Sequence, residues 1–86
     1  MFQNTPNPFD GITKISYFID ENINISIATI EVRDIMGNLK ATLALGDRSG
    51  IGEVDYDGSS LTQGYYIYTL KVNGGVKDSK MFLKEQ

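Results

Sequence analysis

Apolar and polar residues alternate one by one along most of this 86-residue chain, and no stretch sets apolar residues at helical spacing. A period of two places every second side chain on one face of a pleated strand, so the chain must fold as β-structure. Residues 13–19 (TKISYFI) set Ile15, Tyr17 and Ile19 against polar partners, with Phe18 the exception. Residues 23–34 (INISIATIEVRD) carry Ile23, Ile25 and Ile27 on one parity and Ala28, Ile30 and Val32 on the other. Such a switch inside one run marks a β-bulge or a strand that crosses between sheets. Residues 39–45, 53–57, 65–72 and 76–84 read as further strands. Met36-Gly37-Asn38-Leu39 reads as a turn in which Gly37 takes a positive φ, and 46–52 (GDRSGIG) reads as a loop. Asn73-Gly74-Gly75 is a hairpin signal.

Six to seven short strands in so short a chain predict an all-β fold, an immunoglobulin-like antiparallel β-sandwich. With 41% hydrophobic residues, residues 1–86 are expected to form one small domain, a proline-containing lead-in (1–12) followed by the sandwich (13–86). The chain has no cysteine, so the core must hold without disulfides. In place of a disulfide, Leu61-Thr62-Gln63-Gly64-Tyr65-Tyr66 offers a tyrosine corner. Leu61 plugs the core, Gly64 permits the tight turn, and the Tyr66 hydroxyl bonds back to upstream backbone. Tyr68 takes the place that a disulfide cysteine often occupies. On this parity Tyr66, Tyr68, Leu70 and Val72 face inward, and Tyr65 and Ile67 face outward. The outward pair is either ordinary strand packing or part of a binding face.

Composition removes whole classes of chemistry. Without histidine or cysteine the chain builds no Ser-His-Asp triad, no thiolate nucleophile and no His- or Cys-ligated zinc site. Eight basic residues against eleven acidic give a net charge of −3, which argues against nucleic acid and against an anionic membrane surface. No apolar run approaches the ~20 residues of a membrane helix, and no charged-then-apolar leader opens the chain. Met1 is then a true start or, as the sequence favours, an internal point of a longer protein. The acidic run Glu53, Asp55, Asp57, followed by Gly58, echoes the start of a calcium loop. The twelfth position from Glu53 is Gly64, so the bidentate carboxylate is missing, and the three acids read better as the solvated face of a strand whose Val54 and Tyr56 enter the core. The reading is of a non-enzyme with no metal and no cofactor.

At the other end, Pro6 and Pro8 make an extended, donor-poor lead-in. Phe9 is expected to pin that lead-in to the edge of the sandwich and so to blunt an exposed strand edge.

These stretches together resemble a known family. Pro6-Asn7-Pro8-Phe9 with Thr13-Lys14-Ile15-Ser16-Tyr17 is similar to the opening of C-terminal sorting domains (type A) of the type IX, or Por, secretion system of Bacteroidota and relatives. The segment from Ile30 through Asp34 and Gly37 to Leu39 resembles their central Asp-x-x-Gly turn. The segments from Leu61 to Tyr68 and from Lys80 to Lys84 resemble their last two strands. The family's usual tyrosine before the central aspartate is Arg33 here, its frequent Trp-Asp is Tyr56-Asp57, and residues 22–27 look like a small insertion. Two other readings stand beside this one: the immunoglobulin-like domain of flagellar hook-capping proteins, which shares several of these motifs, and a carbohydrate-binding module, for which an exposed Tyr65 is the argument.

The resemblance implies a non-catalytic address label for a cargo domain fused on its N-terminal side. It implies transit through the periplasm, recognition by outer-membrane components (shuttle, translocon and a sortase-like peptidase), removal of the domain, and cargo at the cell surface or outside the cell. Strand alternation adds an expected contact: Lys80, Phe82 and Lys84 outward as an anchor with a charged rim, Met81 and Leu83 inward. Tyr65 and Ile67 form the second candidate face. Pro8, Phe9, Asp34, Gly37, Gly64 and Tyr66 are expected to serve the fold.

Overall fold

The computed structural model describes residues 1–46 and 49–85. Among them are six strands and no helix: β1 (Ile12–Ile19), β2 (Ala28–Asp34), β3 (Leu39–Ala44), β4 (Gly50–Asp57), β5 (Gly64–Val72) and β6 (Gly75–Lys84). They form two antiparallel sheets, β1-β4 and β3-β2-β5-β6. This is the sandwich, immunoglobulin-like in arrangement, that the alternation predicts.

Between the sheets lies a core of Ile15, Tyr17 and Ile19 from β1, Ile30 and Val32 from β2, Tyr66, Tyr68 and Leu70 from β5, and Tyr56, Phe82 and Phe9. Each of these large side chains contributes about 1.5–3 kcal/mol by leaving water. Phe82 is the centre of the aromatic part. Its ring lies 4.8 Å edge-on from Phe9, and 5.6 and 5.7 Å from Tyr66 and Tyr68. Tyr56 reaches it at 6.3 Å.

The tyrosine corner is present: the Tyr66 hydroxyl donates to the Thr62 carbonyl at 2.8 Å. Tyr68, fully buried, donates to the Phe2 carbonyl at 3.0 Å and accepts from the Asn4 amide at 2.9 Å. It thereby ties β5 to the lead-in where other sandwiches use a disulfide.

The lead-in bridges both sheets. Phe2 and Thr5 donate to the carbonyls of Ser16 and Lys14 on β1. After Pro6-Asn7-Pro8 the chain lies parallel to the end of β6: the Phe9 amide donates to the Leu83 carbonyl, the Glu85 amide to the Phe9 carbonyl, and Asn7 accepts from the Leu83 amide. Phe9 thus pins the lead-in and covers the β6 edge, as expected. The buried Asn4 and Thr13 satisfy each other and the Pro6 carbonyl.

Three sequence expectations differ from the structure. Residues 23–27 are not strand. Their backbone is held by Asn73, whose side chain accepts from the amides of Ser26 and Ile27 and donates to the Asn24 carbonyl. That side-chain pairing replaces a ladder, so the parity switch marks a strand start. Second, β4 begins at Gly50, inside the expected loop 46–52, of which Asp47 and Arg48 lie outside the described residues. Glycine suits a strand here because Gly52 lies opposite Tyr17 on β1, whose ring occupies the space a Cβ would need. The third difference concerns β6. Phe82 and Lys84 are buried, at 1% and 4% exposure, and Lys80 is half-buried, whereas Met81 is 48% exposed. The expected outward face of Lys80, Phe82 and Lys84 is therefore the inward face. Its cause is a register shift: Val72 pairs with Gly75 and Lys71 with Val76, but Leu70 pairs with Asp78. Lys77 is the extra residue of a β-bulge, and one extra residue exchanges the two faces of everything after it.

Candidate recognition face

The outward side of the four-stranded sheet is built by simple alternation and by the pairing register. At one end, Leu39 on β3, Arg33 on β2, Ile67 on β5 and Met81 on β6 are cross-strand neighbours in one row. Tyr65 pairs with Leu83 in the row beyond. Tyr65 is 55% exposed, and Leu39 is exposed to a similar degree. The β2–β3 turn at this same end adds Ile35 and Met36, both exposed.

That turn is fixed by its own chemistry. Asp34 Oδ1 accepts from the amides of Met36 and Asn38, at 3.0 and 2.9 Å, and Oδ2 accepts from the Asn38 side-chain amide. These bonds, the Asn38 backbone amide first, hold the Asp34 carboxyl below its ordinary value. Gly37 closes the turn at φ 92°, a conformation that costs a Cβ-bearing residue energy. Ile35 and Met36 are therefore presented outward on a stiff loop. Gly64, at φ 150°, opens β5 beside them.

The other half of the same face is polar. Glu31 bonds Arg33 on its own strand and Lys71 on β5, the latter at 3.1 Å. Both bonds lower the Glu31 carboxyl below its usual value, Arg33 the more strongly. Thr42, Thr69 and Ser79 continue this half across β3, β5 and β6. One surface thus has an apolar end and a charged end, with Arg33 at the boundary. Clustered exposed apolar side chains rimmed by polar ones mark sites that another macromolecule covers.

Of the sequence-nominated residues, Tyr65 and Ile67 stand on this face. Phe82 and Lys84 do not, and Lys80 sits at the β6 margin on the inward parity. Met81 and Leu83, assigned to the core by sequence, are the partners that complete it. No local signal in the sequence marks them, because KMFLK fits either face and only the pairing register, with Lys77 unpaired, decides between them.

The acidic run does not converge. Glu53, Asp55 and Asp57 stand exposed along β4, successive carboxylates about 7 Å apart by strand geometry. Asp57 instead accepts from the Ser59 amide at 3.0 Å, which lowers its carboxyl, and Glu53 lies 4.0 Å from Lys14. Among the described residues no three His, Cys, Asp or Glu side chains group closely enough to hold a metal ion.

Comparison with curated proteins and with solved structures gives no match. The sequence model of one family, the secretion system C-terminal sorting domain, matches residues 5–84. That span runs from the lead-in's contact with β1 to the last residue of β6 and takes in the tyrosine corner, the Asp34–Gly37 turn and the apolar end of the outer face. The family is a sorting-signal domain and not a known catalytic family, and its members are the C-terminal tails of cargo exported across the outer membrane by the type IX machinery. The chain belongs to the type IX secretion C-terminal sorting domain family.

Proposed function

We propose that residues 1–86 act as one sorting unit, lead-in included, whose apolar outer-face end is what the outer-membrane components of the type IX system read. The unit travels folded through the periplasm behind its cargo. A shuttle and translocon engage it, a sortase-like peptidase removes it, and the cargo remains at the cell surface or in the medium. The observation that carries this reading is the outward cluster of Tyr65, Ile67, Met81 and Leu83 on a rigid sheet, beside the exposed Ile35 and Met36. A rigid apolar cluster needs little ordering on binding, and aromatic and methionine side chains are favoured anchors of protein interfaces. Lys80, Phe82 and Lys84, all on the inward parity of β6, act through the fold that displays it.

Fusion tests the reading. Placed at the C-terminus of a periplasm-directed reporter in a type IX-competent cell, residues 1–86 should carry the reporter to the surface or medium. In an otherwise identical strain lacking the translocon, the reporter should stay in the periplasm. A reporter that stays periplasmic in both strains contradicts the proposal.

A further inference from the structure

The four-stranded sheet has two edges, and only one is covered. The lead-in lies along the end of β6 through Asn7 and Phe9, whereas β3 has no strand beyond it among the described residues. The direction of its free backbone groups follows from one bond. The Leu45 amide donates to the Ala28 carbonyl at 3.0 Å, so Leu43 and Ala41 also turn their backbone groups toward β2. Those of Thr42 and Ala44 then point away from the sheet. Their side chains are exposed on the outer face, while Ala41, Leu43 and Leu45 lean on the core with part of their surface still uncovered.

We propose that β3 pairs with β3 of a second copy of this chain, antiparallel, about a two-fold axis at Leu43, joining two four-stranded sheets into one of eight. In this register Thr42 faces Ala44 of the second copy, and Ala44 faces Thr42 of the second copy. Both residues of each chain give and accept one bond, so four hydrogen bonds form. On the inner side Leu43 meets Leu43 of the second copy and Ala41 meets Leu45 of the second copy, so the uncovered apolar margin of each chain is covered by the other. Charge does not oppose the pairing. Lys40, the extra residue where Val32 pairs with Ala41 but Arg33 with Leu39, falls opposite Gly46 of the second copy. An axis at Thr42 instead sets Ala44 against the bulged Lys40 and loses this match. The paired stretch is short, well under the ~800 Å² per partner of a standard interface, so the dimer is weak and concentration-dependent. The inference stands on β3 alone and is independent of the sorting face.

Sedimentation equilibrium and amide spectra of the labelled chain, taken up to about 1 mM, test it in the range where weak association shows. The mean mass should rise toward the dimer, with the Thr42 and Ala44 amides shifting most. The double variant Thr42→Lys/Ala44→Lys changes two exposed positions and places lysines opposite each other in both pairs, so association should be lost. Mixing it with Thr42→Glu/Ala44→Glu should restore association, which neither variant shows alone. A chain that stays monomeric throughout, or one whose association ignores these charges, overturns the proposal. If the monomeric chain instead binds a synthetic peptide of residues 39–46 with shifts at Thr42 and Ala44, the edge takes foreign strands and a second copy is the wrong occupant.

Discussion

Two neighbouring residues, Met81 and Phe82, have traded the roles that strand alternation alone assigns them. Phe82 lies at the junction of Phe9, Tyr56, Tyr66 and Tyr68, so truncating it removes the piece that both sheets and the lead-in share. Phe82→Ala should destabilise the fold by about 3–5 kcal/mol, as deletions of buried aromatic rings do. Met81→Ala should cost under about 1 kcal/mol, since half of its surface already meets water and no cavity closes behind it. Urea titration of the two variants distinguishes the arrangements. A larger loss for Met81→Ala than for Phe82→Ala would mean that the Lys77 bulge is absent and β6 sits in the other register.

At the scale of elements, the lead-in works as a seventh strand shared by both sheets. Its bonds to β6 are few, and Phe9 holds them in place by packing its ring against Phe82 and over Gly58, where a Cβ would meet it. Phe9→Ala should free the second half of the lead-in while its Phe2 and Thr5 bonds to β1 persist. In hydrogen exchange, the Leu83 and Glu85 amides, which bond Asn7 and Phe9, should lose protection far more than the β5 amides. Equal loss across β5 and β6 would show instead that Phe9 supports the whole core.

Much of this level was readable from the chain. Strands β1, β3, β5 and β6 fall within one residue of the runs that alternation marks, and the Asn73-Gly74 hairpin, the Gly37 turn and the Tyr66 corner stand where their local chemistry puts them. Local signals succeed there because each turn is determined by two to four adjacent residues. The failures have non-local causes. Ile23, Ile25 and Ile27 alternate like a strand, yet Asn73, distant in sequence, takes their backbone bonds. Gly50 and Gly52 look like loop until β1 is placed across from them, Ile19 opposite Gly50 and Tyr17 opposite Gly52. In β6 both parities are apolar, so the sequence KMFLK fits either face, and a single unpaired Lys77 decides between them.

For the whole molecule, the same bulge that buries Phe82 turns Met81 and Leu83 out beside Ile67 and Tyr65. Fold and candidate function therefore share one geometric cause: the register that completes the aromatic core also assembles the apolar end of the outer face. Recognition through this face requires that the face can be erased without touching the core. The measurement is the exported fraction of the reporter fused to Tyr65→Thr/Met81→Thr, compared with the parent in the same type IX-competent cell. Threonine keeps strand preference at both exposed positions, so the melting temperature should stay within a few degrees, as surface changes of about 0.5 kcal/mol allow. Export should fall about tenfold or more, equivalent to losing about 1.4 kcal/mol of recognition. A folded double variant exported as well as the parent would contradict the assignment of recognition to this face.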